Sequence, residues 1–171
     1  RLDQIYYELA WANRAAKNEP SAMAYFEKIA TQTPSSSYAA EANFHLGKAA
    51  YEAERWDDAI LAFKACSESK TSEASLREKA AYKLAWANYK QNKFSAAHAA
   101  FKNQVKQFPQ GELLADGQFM VAESLFRNKQ FAEALSAYKT AKPAVDASDV
   151  VDEKIKWLVM LHGAQSANKA K

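Results

Sequence analysis

Apolar positions along this chain recur on two scales. Over short distances they follow the i, i+3, i+4 rhythm of an amphipathic helix, as in "ERWDDAILAFKA" at 54–65. Over longer distances the same arrangement returns, as "KFSAAHAAFKN" at 93–103 and "QFAEALSAYKT" at 130–140. Each copy has an aromatic, Ala three residues later, a second aromatic four residues further, and then Lys. The second aromatic forms a column, Phe26, Phe63, Phe101 and Tyr138, spaced by 37, 38 and 37 residues. Ala22, Ala59, Ala97 and Ala134 keep the same intervals, as do Leu9, Leu46, Leu84 and Val121. Each member of the last column is followed by a small residue: Ala10, Gly47, Ala85 and Ala122. Trp56, Phe94 and Phe131 are in step as well, although the first copy has Glu19 there. So many columns in register establish an internal repeat.

The content of each unit is a helix pair. A small residue beside Leu lets two backbones approach, and the aromatic some seventeen residues on fills the gap between them. "AERW", "QNKF" and "RNKQF" fall where the first helix turns into the second, while "TPSSS" (33–37), "SKTS" (69–72), "FPQG" (108–111) and "KPAVDAS" (142–148) separate one pair from the next. The spacing predicts helices over 2–17, 20–32, 36–54, 56–68, 73–92, 94–107, 111–129, 131–142 and 149–168. The repeat units are then 2–35, 36–72, 73–110 and 111–148. The helix over 149–168 continues the rhythm, because Leu158 lies 37 residues after Val121.

The columns Leu46-Gly47, Ala59 and Phe63, with Pro34 and Pro109 in other copies, resemble the tetratricopeptide repeat (TPR) family. That family's unit is a 34-residue helix–turn–helix. The units here are three or four residues longer and lack the large aromatic expected early in the first helix. "TPSSSYAAEANFHLGKAAYEAERWDDAILAFK" resembles the long-repeat bacterial subset. That subset includes the periplasmic TPR protein of the Tol–Pal system and the TPR lipoprotein of outer-membrane protein assembly. The resemblance implies an all-α, right-handed superhelical solenoid of antiparallel helix pairs, four units plus a terminal helix. It also implies a bacterial periplasmic or envelope location. The chain opens in helical phase without an initiator Met, so it reads as a fragment or processed form, with any signal or anchor outside it.

Composition removes other classes. The 171 residues carry 23 basic and 20 acidic side chains, a net charge of +3 that points to no polyanion. The most apolar run, "WLVML" at 157–161, is too short to span a membrane. His45, His98 and His162 lie at different phases and form no HExxH, so no metal site is expected. No phosphate loop or GxSxG occurs, and no cofactor is expected. Asp57 and Asp58 open a helix, where its dipole favours carboxylates. Cys66 shares a column with Ile29, Gln104 and Ala141 and reads as a small core residue rather than a nucleophile.

Surface remains. Opposite the Leu column of the first helices run two further columns: Tyr7, Phe44, Tyr82, Phe119, and Trp11, Lys48, Trp86, Glu123. In a TPR array first helices line the concave side, so these eight residues are the candidate groove for an extended partner segment. The competing reading is packing between successive repeats. The tolerance of Lys48 and Glu123 argues for exposure of the Trp column. The family's carboxylate clamp needs Lys and Asn in these columns, and the sequence departs from it. A non-catalytic protein-interaction scaffold is therefore expected. Glycan or cell-wall binding through the aromatics is the alternative, and RNA binding is disfavoured because Lys48 is the one basic member of the columns. On the terminal helix, Ile155, Leu158, Val159 and His162 form a docking face, which leaves Trp157, Met160 and Leu161 outside it and suggests end-to-end association or a missing continuation of the array.

Overall fold

The structure, a computed structural model, describes residues 1–170. Among them are nine helices and no strand: α1 (Leu2–Ala15), α2 (Glu19–Gln32), α3 (Ala39–Glu52), α4 (Trp56–Ser67), α5 (Ala74–Lys90), α6 (Phe94–Gln107), α7 (Leu114–Arg127), α8 (Phe131–Ala147) and α9 (Glu153–Lys169). They fall into two compact units, Arg1–Leu84 and Ala85 onward.

The first unit pairs α1 with α2 and α3 with α4, and α2 also packs on α3. Its core is built from the repeat columns: Ala10, Phe26, Ile29, Ala39 and Ala42 form one cluster, with Phe63 and Cys66 fully buried in the next pair. The small residue after Leu has a physical role here. A methyl group added at Gly47 would sit 2.7 Å from the Phe63 ring, closer than carbon atoms approach, so Phe63 fills the space Gly47 leaves.

In the second unit α7 packs on α6 and α8, and α9 packs on α8 and more lightly on α7. Phe101 and Tyr138 occupy the aromatic column here, 0% and 2% exposed. Another size exchange appears one column over. Gln104 is fully buried where the other copies carry Ile29, Cys66 or Ala141. A methyl group at Gly117 would lie 2.2 Å from its amide oxygen. The longer side chain is thus matched by a glycine on the facing helix.

Each first helix ends in the same way. Lys17, Glu54, Asn92 and Lys129 adopt positive φ angles of 57°, 56°, 58° and 63°. The next amide reaches back five residues, as in Asn18 to the Asn13 carbonyl (2.9 Å) and Gln130 to that of Leu125 (3.0 Å). This Schellman closure satisfies the last carbonyls and sets the tight turn into the second helix. After it, an aromatic pair locks the corner: Tyr51 with Trp56, Tyr89 with Phe94, Phe126 with Phe131, ring centres 5.0, 5.2 and 5.7 Å apart. The first copy substitutes an ion pair, Arg14 to Glu19 at 3.6 Å, which accounts for the missing aromatic at 19.

The clearest departures from the expected boundaries are the starts of α3, α7 and α9, the last at Glu153 rather than 149, and the end of α8. The segments before Ala39 and Leu114 are turns rather than first helical turns. Conversely α8 passes through Pro143 instead of stopping at 142. Proline costs about 3 kcal/mol inside a helix because it lacks an N–H and crowds the preceding turn. Pro143 itself lies at the solvent side, while the buried Ala141 and Val145 hold the final turns in place.

Candidate partner-binding surface

Two candidate residues of the first unit, Tyr7 and Trp11, lie 6.2 Å apart in one aromatic cluster. The Tyr7 ring stacks on Tyr38 at 4.3 Å, and its hydroxyl donates to Glu41 at 3.0 Å. Burial and the Glu41 carboxylate hold the Tyr7 hydroxyl above its ordinary pKa. Trp11 is 38% exposed and stands edge-on to both Phe26 (6.2 Å) and His45 (5.3 Å). The Arg14 guanidinium lies 5.4 Å above the Trp11 ring and bonds His45 Nδ1 at 2.8 Å. The bond fixes Nδ1 as the acceptor, because a guanidinium only donates. Nε2 then carries the proton, 3.7 Å from Glu41. Burial, with the charges of Arg14 and Lys48, lowers the His45 pKa, against the opposing pull of Glu41.

Phe44 and Lys48 are half-buried. Phe44 turns to its own pair, with its ring 5.8 Å from that of Phe63. Tyr82, the last candidate of this unit, is also half-buried. Its neighbour Lys83 lies over Tyr51 at 5.6 Å, and burial together with Lys48 lowers the Lys83 pKa. Of the basic residues on these first helices, Arg14 is the one that lies against Trp11, and it is also paired with Glu19 at 3.6 Å.

The second unit is organised differently. Trp86 is half-buried, edge-on to Tyr89 (5.4 Å) and Phe101 (6.1 Å). Phe119 is 5% exposed and Glu123 8%, so these two do not line an open groove as the columns suggested. Glu123 is buried because its charge is fully engaged: it accepts from Tyr138 (2.7 Å), from His162 Nδ1 (2.7 Å) and, at 3.4 Å, from Tyr89. Four helices, α5, α7, α8 and α9, meet at this carboxylate. Burial followed by the Glu123 charge pushes the Tyr89 hydroxyl up to about 12, and the same two causes raise Tyr138 further. His162 also stacks flat on Phe126, ring centres 4.5 Å apart. Tolerance of Lys and Glu in a column does not guarantee exposure when one copy supplies hydroxyl and imidazole donors.

Clefts occur elsewhere, one of about 640 Å³ between α2 and α4 over α3, another of about 570 Å³ between α6 and α8 over α7. Their floors hold equivalent residues, Leu46 and Ala50 in one, Val121 and Leu125 in the other. They are the gaps between successive second helices, a property of the repeat. Among the described residues no cluster of three His, Cys, Asp or Glu could hold a metal, and no helix is long and apolar enough to cross a membrane. Cys66 is fully buried, and burial pushes its thiol up to about 12, so it is the inert core residue its column implied.

Residues 44–156 match the family model YfiO, described as an outer membrane lipoprotein. The chain belongs to this family. The YfiO match runs from α3 into α9, and residues 4–36, the first helix pair, match a tetratricopeptide repeat model. Several solved structures share the fold, among them two MamA structures. One, titled "Crystal structure of MamA protein", has a TM-score of 0.63 and 18% identity, covering 98% of this chain and 91% of that one. The other, "Crystal structure of MamA", has a TM-score of 0.60 and 17% identity over 95% and 94%. No curated protein matches the chain. The TPR-like, all-helical architecture of this YfiO-family chain is therefore established. Arg14, His45 and Lys83 are the surface residues that column reasoning missed. They sit off the two chosen columns, and only the repeat's departure at Glu19 signalled that the first copy has a different corner.

Proposed function

We propose that the protein is a non-catalytic scaffold that binds a segment of another protein along the first-helix face of its first unit. The observation that carries this reading is Trp11. A large aromatic side chain is held rigid by Phe26 and His45, flanked by Arg14, and still 38% exposed. Such preorganised aromatics are the usual anchors of binding hot spots, because they bury much area at small entropic cost. TPR-type arrays generally serve as protein-interaction surfaces, which supports the class of function. The Arg14 guanidinium over Trp11 favours a segment with an acidic residue next to an apolar one. Tyr7, Phe44, Lys48 and Tyr82 complete this face. Trp86 extends the same column, whereas Phe119 and Glu123 act as structural members. The family description favours the bacterial cell envelope as the place of action.

Selection of binders from a peptide library, with peptidoglycan fragments and single-stranded RNA titrated in parallel, tests the reading. Selected peptides are expected to carry an acidic–apolar pair. Trp11→Ala weakens them by the hot-spot threshold of about 2 kcal/mol with the melting temperature unchanged. Saturable binding to the glycan or RNA alone would replace the scaffold reading.

A further inference from the structure

The contact between Arg14 and His45 exists in one protonation state only. Arg14 donates to His45 Nδ1 at 2.8 Å, and a guanidinium has no acceptor, so the bond needs a bare Nδ1. The single proton of the neutral ring then sits on Nε2, 3.7 Å from Glu41. The same guanidinium lies 5.4 Å above the Trp11 ring, and the His45 ring stands perpendicular to that indole with ring centres 5.3 Å apart. Trp11 is thereby framed by two groups that are bonded to each other. A second proton on His45 goes to Nδ1, where it removes the acceptor and sets two cations side by side. Each cation has a carboxylate of its own in reach. Glu19 is 3.6 Å from Arg14, and Glu41 is the partner of His45 Nε2.

We propose, building on Trp11 as the anchor of a partner segment, that His45 is a proton-operated latch on this site. The neutral ring holds Arg14 over Trp11, and protonation releases Arg14 toward Glu19. An acidic–apolar segment then finds anchor and cation together near neutral pH. In acid it finds Arg14 engaged by Glu19 and the imidazolium engaged by Glu41. The groups around the ring set the direction. Arg14 and Tyr7 reach toward it from α1, Tyr7 through a 3.0 Å bond to Glu41, and Glu19 of α2 acts through Arg14. Glu41 and Lys48 belong to α3 itself, and Cys66 of α4 senses the Glu41 charge. Burial disfavours the second proton most, Arg14 and Lys48 add to this, and Glu41 opposes them. The held state is therefore the resting one, and release falls on the acid side of an ordinary histidine, whose pKa is about 6.5.

NMR of the full chain between pH 7.5 and 5 tests this. It follows the Trp11 indole N–H, identified by its loss in Trp11→Phe, and the His45 ring nitrogens, identified by their loss in His45→Phe. At pH 7.5 the His45 ring is expected to have Nδ1 bare and Nε2 protonated. As the pH falls, the Trp11 resonance is expected to shift with the midpoint of His45. It stays fixed in His45→Phe, which keeps a ring but takes up no proton, and in His45→Gln, which keeps an acceptor for Arg14 but does not titrate. A proton on Nδ1 at pH 7.5, or a Trp11 resonance that does not follow His45, overturns the latch. A selected acidic–apolar peptide is expected to bind several-fold more weakly at pH 5 than at pH 7.5, and His45→Gln removes that difference. Equal affinity at both pH values while the ring titrates overturns the proposed control of binding. The spectra need no partner, so if no peptide binds, the scaffold reading falls while the spectra still decide the latch.

Discussion

His45 shows how one side chain ties two repeats together. It stacks on Phe26 of the preceding pair at 4.8 Å, takes the edge of Trp11 and accepts from Arg14. Burial among these rings favours the neutral imidazole first, and the charges of Arg14 and Lys48 add to it, so the His45 pKa is lowered. A histidine whose folded pKa lies below its unfolded value of about 6.5 binds fewer protons folded than unfolded in that window, so stability rises with pH there. The contribution is complete above the unfolded value and is lost as pH falls through it toward the folded one. Thermal melts between pH 7.5 and 5 are expected to show a fall in stability that His45→Phe flattens. An unchanged slope in that variant would assign the loss to another group. The sequence placed His45 on a helix but gave no sign of this role, since its partners lie 31 and 34 positions away, at Arg14 and Trp11.

At the scale of the helix, the recurring left-handed residue is the most regular feature of the fold. Lys17, Glu54, Asn92 and Lys129 all pay the steric cost of positive φ, of about 1–2 kcal/mol for an ordinary L-residue. Glycine avoids it, with part of the gain returned through the freer unfolded chain. Lys129→Gly is therefore expected to raise stability by up to about 1 kcal/mol, and Asn92→Gly by less, because Asn tolerates this region. Denaturant midpoints compare the two directly, and equal effects would contradict the account. Helix number, pairing and the buried columns were legible in the sequence because a four-fold repeat averages out local ambiguity. The end of α8 was not, since a proline argues for a stop locally while the buried Val145 acts from tertiary packing. Glu123 was misjudged for a related reason. Its column held Trp, Lys and Glu, and only the three-dimensional meeting of Tyr89, Tyr138 and His162 makes a buried carboxylate affordable.

Across the molecule, stability in a repeat array is a sum over pairs and the interfaces between them. Phe101 is fully enclosed in its pair. Phe101→Ala is expected to cost about 3–5 kcal/mol, the usual range for a core aromatic. Hydrogen exchange measured by mass spectrometry then rises in α6 and in the neighbours α7 and α8, not in α6 alone. A loss confined to α6 would mean that the pairs of the second unit are energetically separate. The exchange of size between Gln104 and Gly117 bears on modularity. The helix pairs look like interchangeable parts, yet α6 is fitted to a neighbour that carries no side chain at that point. Transplanting α6 into the place of α4 would bring Gln104 against the column position occupied by Ala80, whose methyl group takes the space Gly117 leaves open. The copies share a plan but are keyed individually, so their order along the chain is written into their cores.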